Sequence, residues 1–488
     1  MSQARQLWGA LRRAAPVGSQ RWWRERFRDA WAQPELRWLS AILLLAAVLR
    51  TIWVLYAARE PQGVHDPIFL FDYGAAIAEG RGYRLPDGPT AYYPVGYSAT
   101  LAAVFALVKY TPIPDNLVLT AGFFQVFLGT ATVGLVYQVG RRLFRPAVGL
   151  VAALGLAIFP NLIYHTGTYL TETLFNFLVM AGLAVLLSTG WQEKRVGRGR
   201  LLVFGVLLGL SALVRPISLL FLPLLPIAWL AGGFGWRRSL GYAGAVLAVT
   251  AAVIAPWAIR NAVVMRAPII ISTNLGDDLC MGHYAGAPGH FALPDVCFAE
   301  EPYKGLKRSE LEVRRNNDNF RKAVRFALAN PRFELKLLSR KAFHTWEHDH
   351  DGLLAVQSYG DDRFIEPELQ RALERTADLF FFVIISLGGL GLIAFVAPPL
   401  EPRRLFFLLA LLALAGVPLA FFGDARFHVP AVPLLTVSAA WLVAAGFRAV
   451  PRLIARPAPA GGTASTGQRS GLVEGAERET SVPEQDAL

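Results

Sequence analysis

Two acidic residues have settings that could do chemistry. Asp66 stands in His65-Asp66-Pro67-Ile68-Phe69-Leu70-Phe71-Asp72-Tyr73, ahead of Gly80-Arg81-Gly82-Tyr83. It opens a short amphipathic helix that ends at the Gly-x-Gly. An aspartate at a helix start is often no more than an N-cap. Glu172, in Tyr169-Leu170-Thr171-Glu172-Thr173-Leu174-Phe175, falls at the lip of a long apolar run. A carboxylate at membrane depth is costly, and such residues mark function more often than structure. An aspartate in an accessible loop can take a proton as general base. A glutamate at a rigid helix end is better suited to positioning. Asp72 is the rival base: six residues of helix turn the chain by about 600°, which puts Asp66 and Asp72 on different faces. The simplest reading of Asp72 is a solvated face.

Three arginines sit near the same ends of apolar runs. Arg215 lies at a break before Pro216, Arg260 in Pro256-Trp257-Ala258-Ile259-Arg260-Asn261, and Arg426 in Gly423-Asp424-Ala425-Arg426-Phe427. The plainer reading of each is an anchor that snorkels to lipid headgroups. Together they ask for an anionic partner, and a phosphate suits the two-pronged guanidinium. Arg260 and at least one of the other two are expected to turn toward a cavity shared with Asp66.

Weaker candidates remain. His344, His348 and His350 lie in Phe343-His344-Thr345-Trp346-Glu347-His348-Asp349-His350-Asp351. Positions i and i+4 share a helix face, but spacing without motif context is thin ground for a metal. Polar residues near a membrane surface are the preferred reading, and no metal ligand is assigned. No cofactor is assigned, a divalent metal ion being the less favoured reading. Cys280 and Cys297 are the only cysteines. Both fall in the second large loop, where a disulfide and a pair of buried thiols are both open readings.

The elements that must hold these residues are membrane helices. Of 488 residues, 54% are hydrophobic and 17% charged, and the mean hydropathy is +0.39. Soluble domains carry roughly 25% charged residues. Apolar runs fall at about 38–58, 117–139, 147–164, 172–190, 239–258, 376–397, 405–422 and 428–447. Leu201 to Ala231 is too long for one helix, and Arg215-Pro216 divides it into two short spans. The fold class expected is an all-α polytopic membrane protein with about ten spans.

The net charge of +12 comes from Lys and Arg clustered between apolar runs, where basic loops face the cytoplasm. No nucleic-acid motif accompanies it. The alternation of basic loops puts both ends in the cytoplasm and two large loops, 59–116 and 257–375, outside. Thr100 to Val108 is too short to cross and reads as a re-entrant or surface helix. Residues 1–37 read as a basic, Trp-rich amphipathic segment on the cytoplasmic leaflet. Residues 38–447 form the membrane domain, and 448–488 a cytoplasmic disordered tail.

On these residues the sequence resembles the type C glycosyltransferases. The nearest branch is the bacterial one related to dolichyl-phosphate-mannose–protein mannosyltransferases and the lipid A aminoarabinose transferase. The pattern begins with Asp66, thirteen residues, then Gly80-Arg81-Gly82-Tyr83. It continues through Pro89-Thr90-Ala91-Tyr92-Tyr93-Pro94-Val95-Gly96-Tyr97, Leu170-Thr171-Glu172, Leu213-Val214-Arg215-Pro216 and Pro256-Trp257 with Arg260-Asn261. Ser272-Thr273-Asn274-Leu275-Gly276 with Gly282, then Asp424 with Arg426 and Pro430, complete the series.

The resemblance implies an inverting sugar transfer, metal-dispensable or loosely metal-dependent, from a polyprenyl-phosphate donor. Asp66 would be general base and Glu172 the second catalytic acid, shaping the site. Asp72, Tyr93, Tyr97, Arg215, Arg260, Asn261, Asn274 and Arg426 would contact substrate. Two positions depart from the pattern: Tyr93 stands where relatives often carry a basic residue, and Leu70 where a tyrosine is common. Phosphate binding would then fall to Arg260, Arg215 or Arg426.

The enzyme expected is a multi-pass protein of the inner (cytoplasmic) membrane, with a glycan, lipid or protein acceptor. A transporter or lipid flippase could use the same buried charges as a substrate path. It would show inverted repeats and broken helices at the midplane. No internal repeat is visible, and the motif residues gather at one membrane face.

Overall fold

A computed structural model describes residues 33–108, 116–188, 190–398 and 401–454, with side chains as far as Gly446. The expectations for the amphipathic N-terminal segment and the C-terminal tail lie outside the described residues. The chain divides into two units, Met1–Ala445 and Gly446–Leu488. In the second, the described residues are helical and end at Ile454.

The described residues are helical almost throughout, and the protein is an all-α polytopic membrane protein. Their one sheet is a two-residue antiparallel pair, Arg84–Leu85 with Gly88–Pro89. Among the described residues, six helices are long and apolar enough to cross a bilayer: Pro34–Ala57, Leu117–Leu143, Trp236–Val264, Pro367–Val396, Pro402–Ala420 and Ala425–Gly446. Pro146–Ala157 and Pro160–Gly167 make a seventh only as a pair bent by 62°. Glu172–Leu186, Arg198–Val214 and Pro216–Ala231 are shorter. At 1.5 Å per residue, a 17-residue helix reaches about 25 Å, less than the ~30 Å hydrocarbon core. Each of the ten expected runs thus contains a helical element, but six of them meet the length of a straight span.

Helix ends depart from the apolar runs in a consistent way. The helix expected to end near 258 continues to Val264, and the one expected from 376 starts at Pro367. A helix does not stop where its apolar face stops. Pro367 occupies the first turn, where its missing N–H costs nothing. The Glu366 carboxylate caps the amides of Glu368 and Leu369, each at 3.0 Å. The second large loop is correspondingly narrower, and carries the helices Leu275–Gly282, Arg308–Ala329, Pro331–Trp346 and Asp351–Val356. Gly96–Val108 is a separate apolar helix of 13 residues.

Two contacts tie this frame to the site. A Cβ on Gly96 would lie 2.6 Å from the carbonyl carbon of Leu213. Only glycine lets the first loop close against the turn that presents Arg215. Gly205, on the helix leading to that turn, packs on Val249, and its carbonyl accepts from Thr250 Oγ1 at 3.1 Å. Small residues bring helix backbones together where lipid offers no hydrophobic gain.

Cys280 and Cys297 form a disulfide, with Cα atoms 6.0 Å apart. It fastens the helix Leu275–Gly282 to the short turn Asp295–Phe298. Asn319 seals the same corner from the long helix Arg308–Ala329, donating to Asp277 at 2.7 Å and to the Cys297 carbonyl at 2.9 Å.

Candidate functional site

Asp66 is the first residue of the helix Asp66–Ala78, held in place by Pro67 behind it. Its carboxylate has two partners. Oδ1 accepts from the Tyr93 hydroxyl at 2.7 Å, and Oδ2 accepts from Arg426 Nη1 at 2.6 Å. The side chain is 34% exposed. Glu172 begins the helix Glu172–Leu186 and is fully buried. Its Oε1 accepts from Arg426 Nε at 2.6 Å and from Arg215 Nη2. Arg215 also donates to Thr171 Oγ1 at 2.7 Å. Four charged groups thus form one chain: Asp66, Arg426, Glu172, Arg215. Two acids and two bases balance, as burial requires.

Further acids surround this chain. Asp424 caps the turn Ala425–Phe427, accepting from the Arg426 amide at 2.9 Å. Asp351 is buried, and its Oδ2 has no hydrogen-bond partner among the described residues. Burial, and then the charge of Asp424, hold its carboxyl well above the usual range. Asp278 is pushed up to about 8 by burial and by the nearby Asp277 and Asp66. It accepts from Asn274 Nδ2 at 2.9 Å. Tyr359 lies within the field of Asp351, Arg426 and Asp66. Its backbone, with that of Ser358, is left-handed (φ 52° and 49°). Such backbone is uncommon in non-glycine residues and marks a segment held by its surroundings.

The structure joins Asp66, Glu172, Tyr93, Arg215 and Arg426 as expected of one site. It brings Asn274 to their edge through Asp278. Asp72 is exposed, about 120° around the helix Asp66–Ala78 from Asp66. Tyr97 is fully buried, with no partner for its hydroxyl among the described residues.

Arg260 departs from expectation. Its Nη1 and Nη2 donate to the carbonyls of Thr90 and Tyr83, each at 2.7 Å, and its guanidinium lies 4.8 Å over the Trp257 ring. These bonds, not a cavity shared with Asp66, take up its donors. The reason is local: two loop carbonyls need donors, and two aromatic faces suit a flat cation. Asn261 belongs to the same brace, accepting from Arg260 at 3.1 Å and donating to the Ile269 carbonyl at 3.4 Å.

Sequence reasoning passed over Asp278 and Asp351, and took Asp424 only as part of a motif. Asp351 was hidden in a run of polar residues. Asp278 had one available signal, its place four residues after Asn274, which on a helix brings the two side chains together. A cavity of about 810 Å³ opens elsewhere, lined by Arg266, Lys307, Arg314 and Arg321 among others. None of Asp66, Glu172, Arg215 and Arg426 lines it.

With this geometry in view, the family model described as dolichyl-phosphate-mannose-protein mannosyltransferase matches residues 99–259. That stretch is mannosyltransferase-like. It contains Glu172 and Arg215 and stops short of Asp66 and Arg426. The match agrees with the type C resemblance carried by the motifs. No curated protein matches in sequence.

Among solved structures, the archaeal oligosaccharyltransferase AglB from Archaeoglobus fulgidus, in complex with an inhibitory peptide and a dolichol-phosphate, is 16% identical, with a TM-score of 0.48. The alignment covers 88% of this chain and 53% of that one. The same organism's oligosaccharyltransferase in complex with Zn and sulfate is 15% identical, with a TM-score of 0.49 over 85% and 50% of the two chains. ArnT from Cupriavidus metallidurans, bound to undecaprenyl phosphate, is 14% identical, with a TM-score of 0.40 over 86% and 81%. The chain spans about half the length of the archaeal proteins it matches.

Proposed function

We propose that this protein is a glycosyltransferase that moves a sugar from a polyprenyl-phosphate lipid to a hydroxyl acceptor, with inversion. The reaction takes place at the outer face of the cytoplasmic membrane, and the two large loops, one between the helices ending at Ala57 and beginning at Leu117 and the other between those ending at Val264 and beginning at Pro367, lie on that side. The observation that carries the reading is the shared guanidinium: Arg426 joins Asp66 in the first large loop to Glu172 at a helix end.

The chemistry follows from that link. The acceptor oxygen forms a bond to the anomeric carbon as the bond from that carbon to the phosphate oxygen breaks. The acceptor proton passes to the Asp66 carboxylate. The electron pair leaves with the lipid phosphate, whose charge Arg426 and Arg215 neutralise. Glu172, fully buried, holds both arginines in place. Tyr93 orients the Asp66 carboxylate from its other oxygen.

When Arg426 turns to the donor phosphate, Asp66 Oδ2 is released and free to take the acceptor proton. Donor binding and activation of the base are thereby one event. Asp278 and Asn274 line the approach to Asp66 and suit contacts with sugar or acceptor hydroxyls.

The test is to incubate the purified protein with labelled polyprenyl-phosphate sugars and a membrane extract. Label should move to a lipid, glycan or protein product. A protein that binds these donors yet carries the intact labelled lipid across vesicles, with no product formed, contradicts the reading and is a flippase.

A further inference from the structure

The run His348-Asp349-His350-Asp351 alternates between two environments. Asp349 is fully buried, its Oδ1 accepting from His428 Nε2 at 2.8 Å and from Asn161 Nδ2 at 2.5 Å. Asp351 is buried as well, and the Gly352 amide beside it donates to Asn161 Oδ1 at 2.9 Å. The two histidines are half-buried and stack on each other, ring centres 4.2 Å apart and planes at 23°.

Asp378, on the helix Pro367–Gly391, meets them there. Its carboxylate oxygens lie 3.0 and 3.1 Å from His350 Nδ1, and Oδ1 accepts the Asp349 amide at 2.7 Å. One donor atom from each of His348, His350 and Asp378 falls within 4.8 Å of the others. His348 Nδ1 is buried and has no hydrogen-bond partner among the described residues. A buried polar atom without a partner calls for an explanation, and a bound ion is one.

We propose that His348, His350 and Asp378 bind a divalent transition ion of the zinc class. Two imidazole nitrogens and one carboxylate oxygen make the donor set that such ions prefer. Donors on a tetrahedral zinc stand about 3.3 Å apart, so small ring rotations complete the site. His344 takes no part. It pairs with Glu347 at 2.9 Å and packs edge-on to His290.

The ion acts by position, not by contact with substrate. It clamps the histidines of the run to the helix Pro367–Gly391. Asp349 between them is thereby fixed toward His428, and Asp351 just after them toward the Asp66–Arg426 cluster. A plain His350–Asp378 ion pair, with His348 merely stacked on it, is the competing account.

The experiment strips the full-length protein with a chelator and titrates it with Zn²⁺, then with Co²⁺ as a spectroscopic probe. Wild type should take up one ion per chain, show the visible bands of tetrahedral cobalt, and unfold at a higher temperature with zinc. His348→Ala, His350→Ala and Asp378→Asn should lose stoichiometric uptake and the zinc-dependent thermal shift. His344→Ala should keep both. The thermal midpoints of the stripped variants separate lost binding from misfolding. Absence of the cobalt bands in wild type overturns the proposal by itself. So does uptake that persists unchanged in both histidine variants.

Discussion

Arg426 donates to Asp66 through Nη1 and to Glu172 through Nε, at 2.6 Å in each case. These two carboxylates, more than a hundred residues apart in sequence, therefore share one cation. Glu172 has no exposed surface, so its charge depends on its guanidinium partners. Removing one member of a buried ion pair costs about 3–5 kcal/mol. Arg426→Ala should lower thermal stability by roughly that amount. Arg426→Lys should recover little, because an ammonium cannot present two fixed prongs. Thermal unfolding of the purified variants measures both. A lysine variant as stable as wild type contradicts the two-pronged link.

Asp278 sets a pH dependence. Its carboxyl is pushed up to about 8 by burial, Asp277 and Asp66, above its ordinary value of 3.8. Between these values the folded chain binds more protons than the unfolded one. Stability from this group is therefore complete below the ordinary value and is lost as pH rises toward 8. Asp278→Asn should flatten that slope. Thermal midpoints taken from pH 5 to 9 compare the two chains, and parallel slopes count against the assignment.

The disulfide closes a short loop, with a sequence separation of 17. In the chain-entropy model such a closure stabilises by roughly 3 kcal/mol. Cys280→Ser and Cys297→Ser should each lower the thermal midpoint in oxidising buffer. Reductant should lower that of wild type and leave both variants unmoved. A wild-type midpoint insensitive to reductant under unfolding conditions shows that the bond adds nothing.

Sidedness gives a fourth prediction. Arg145 follows the basic cluster Arg141-Arg142, and Pro288 lies in the second large loop. Basic loops stay in the cytoplasm. Reporter fusions at the two positions should report opposite sides of the membrane. The same side for both removes the basis for outer-face chemistry.

The membrane helices were legible because composition alone marks them: an apolar run of sufficient length has few other uses. Their exact ends were not. The helices run past the apolar stretches to Val264 and back to Pro367, and at Pro367 a capping carboxylate and the proline set the end. Asp66 and Glu172 could be picked out singly, but nothing in the spacing joins Asp66 to Arg426 across 360 positions. That link is made by packing. Arg260 shows the converse failure. It looked as exposed to an anion as Arg426, and its role was settled by carbonyls at Tyr83 and Thr90 that no residue type reveals. Asp351 was concealed because it closes the polar run His348-Asp349-His350, whereas its charged surroundings come from distant Asp424 and Arg426.

The central claim is that Asp66 takes the acceptor proton. Its most direct test is turnover of Asp66→Asn, Asp72→Asn and Glu172→Gln in parallel, at matched expression and folding, with donor-lipid affinity measured alongside. Loss of a general base costs a factor of about 10² to 10⁴ in rate. Asp66→Asn should fall by that factor while still binding donor. Asp72→Asn, exposed on the other face, should stay near wild type, and Glu172→Gln should lose donor affinity through its arginines. Near-normal turnover in Asp66→Asn would falsify the claim, and a dead Asp72→Asn beside it would move the role to Asp72.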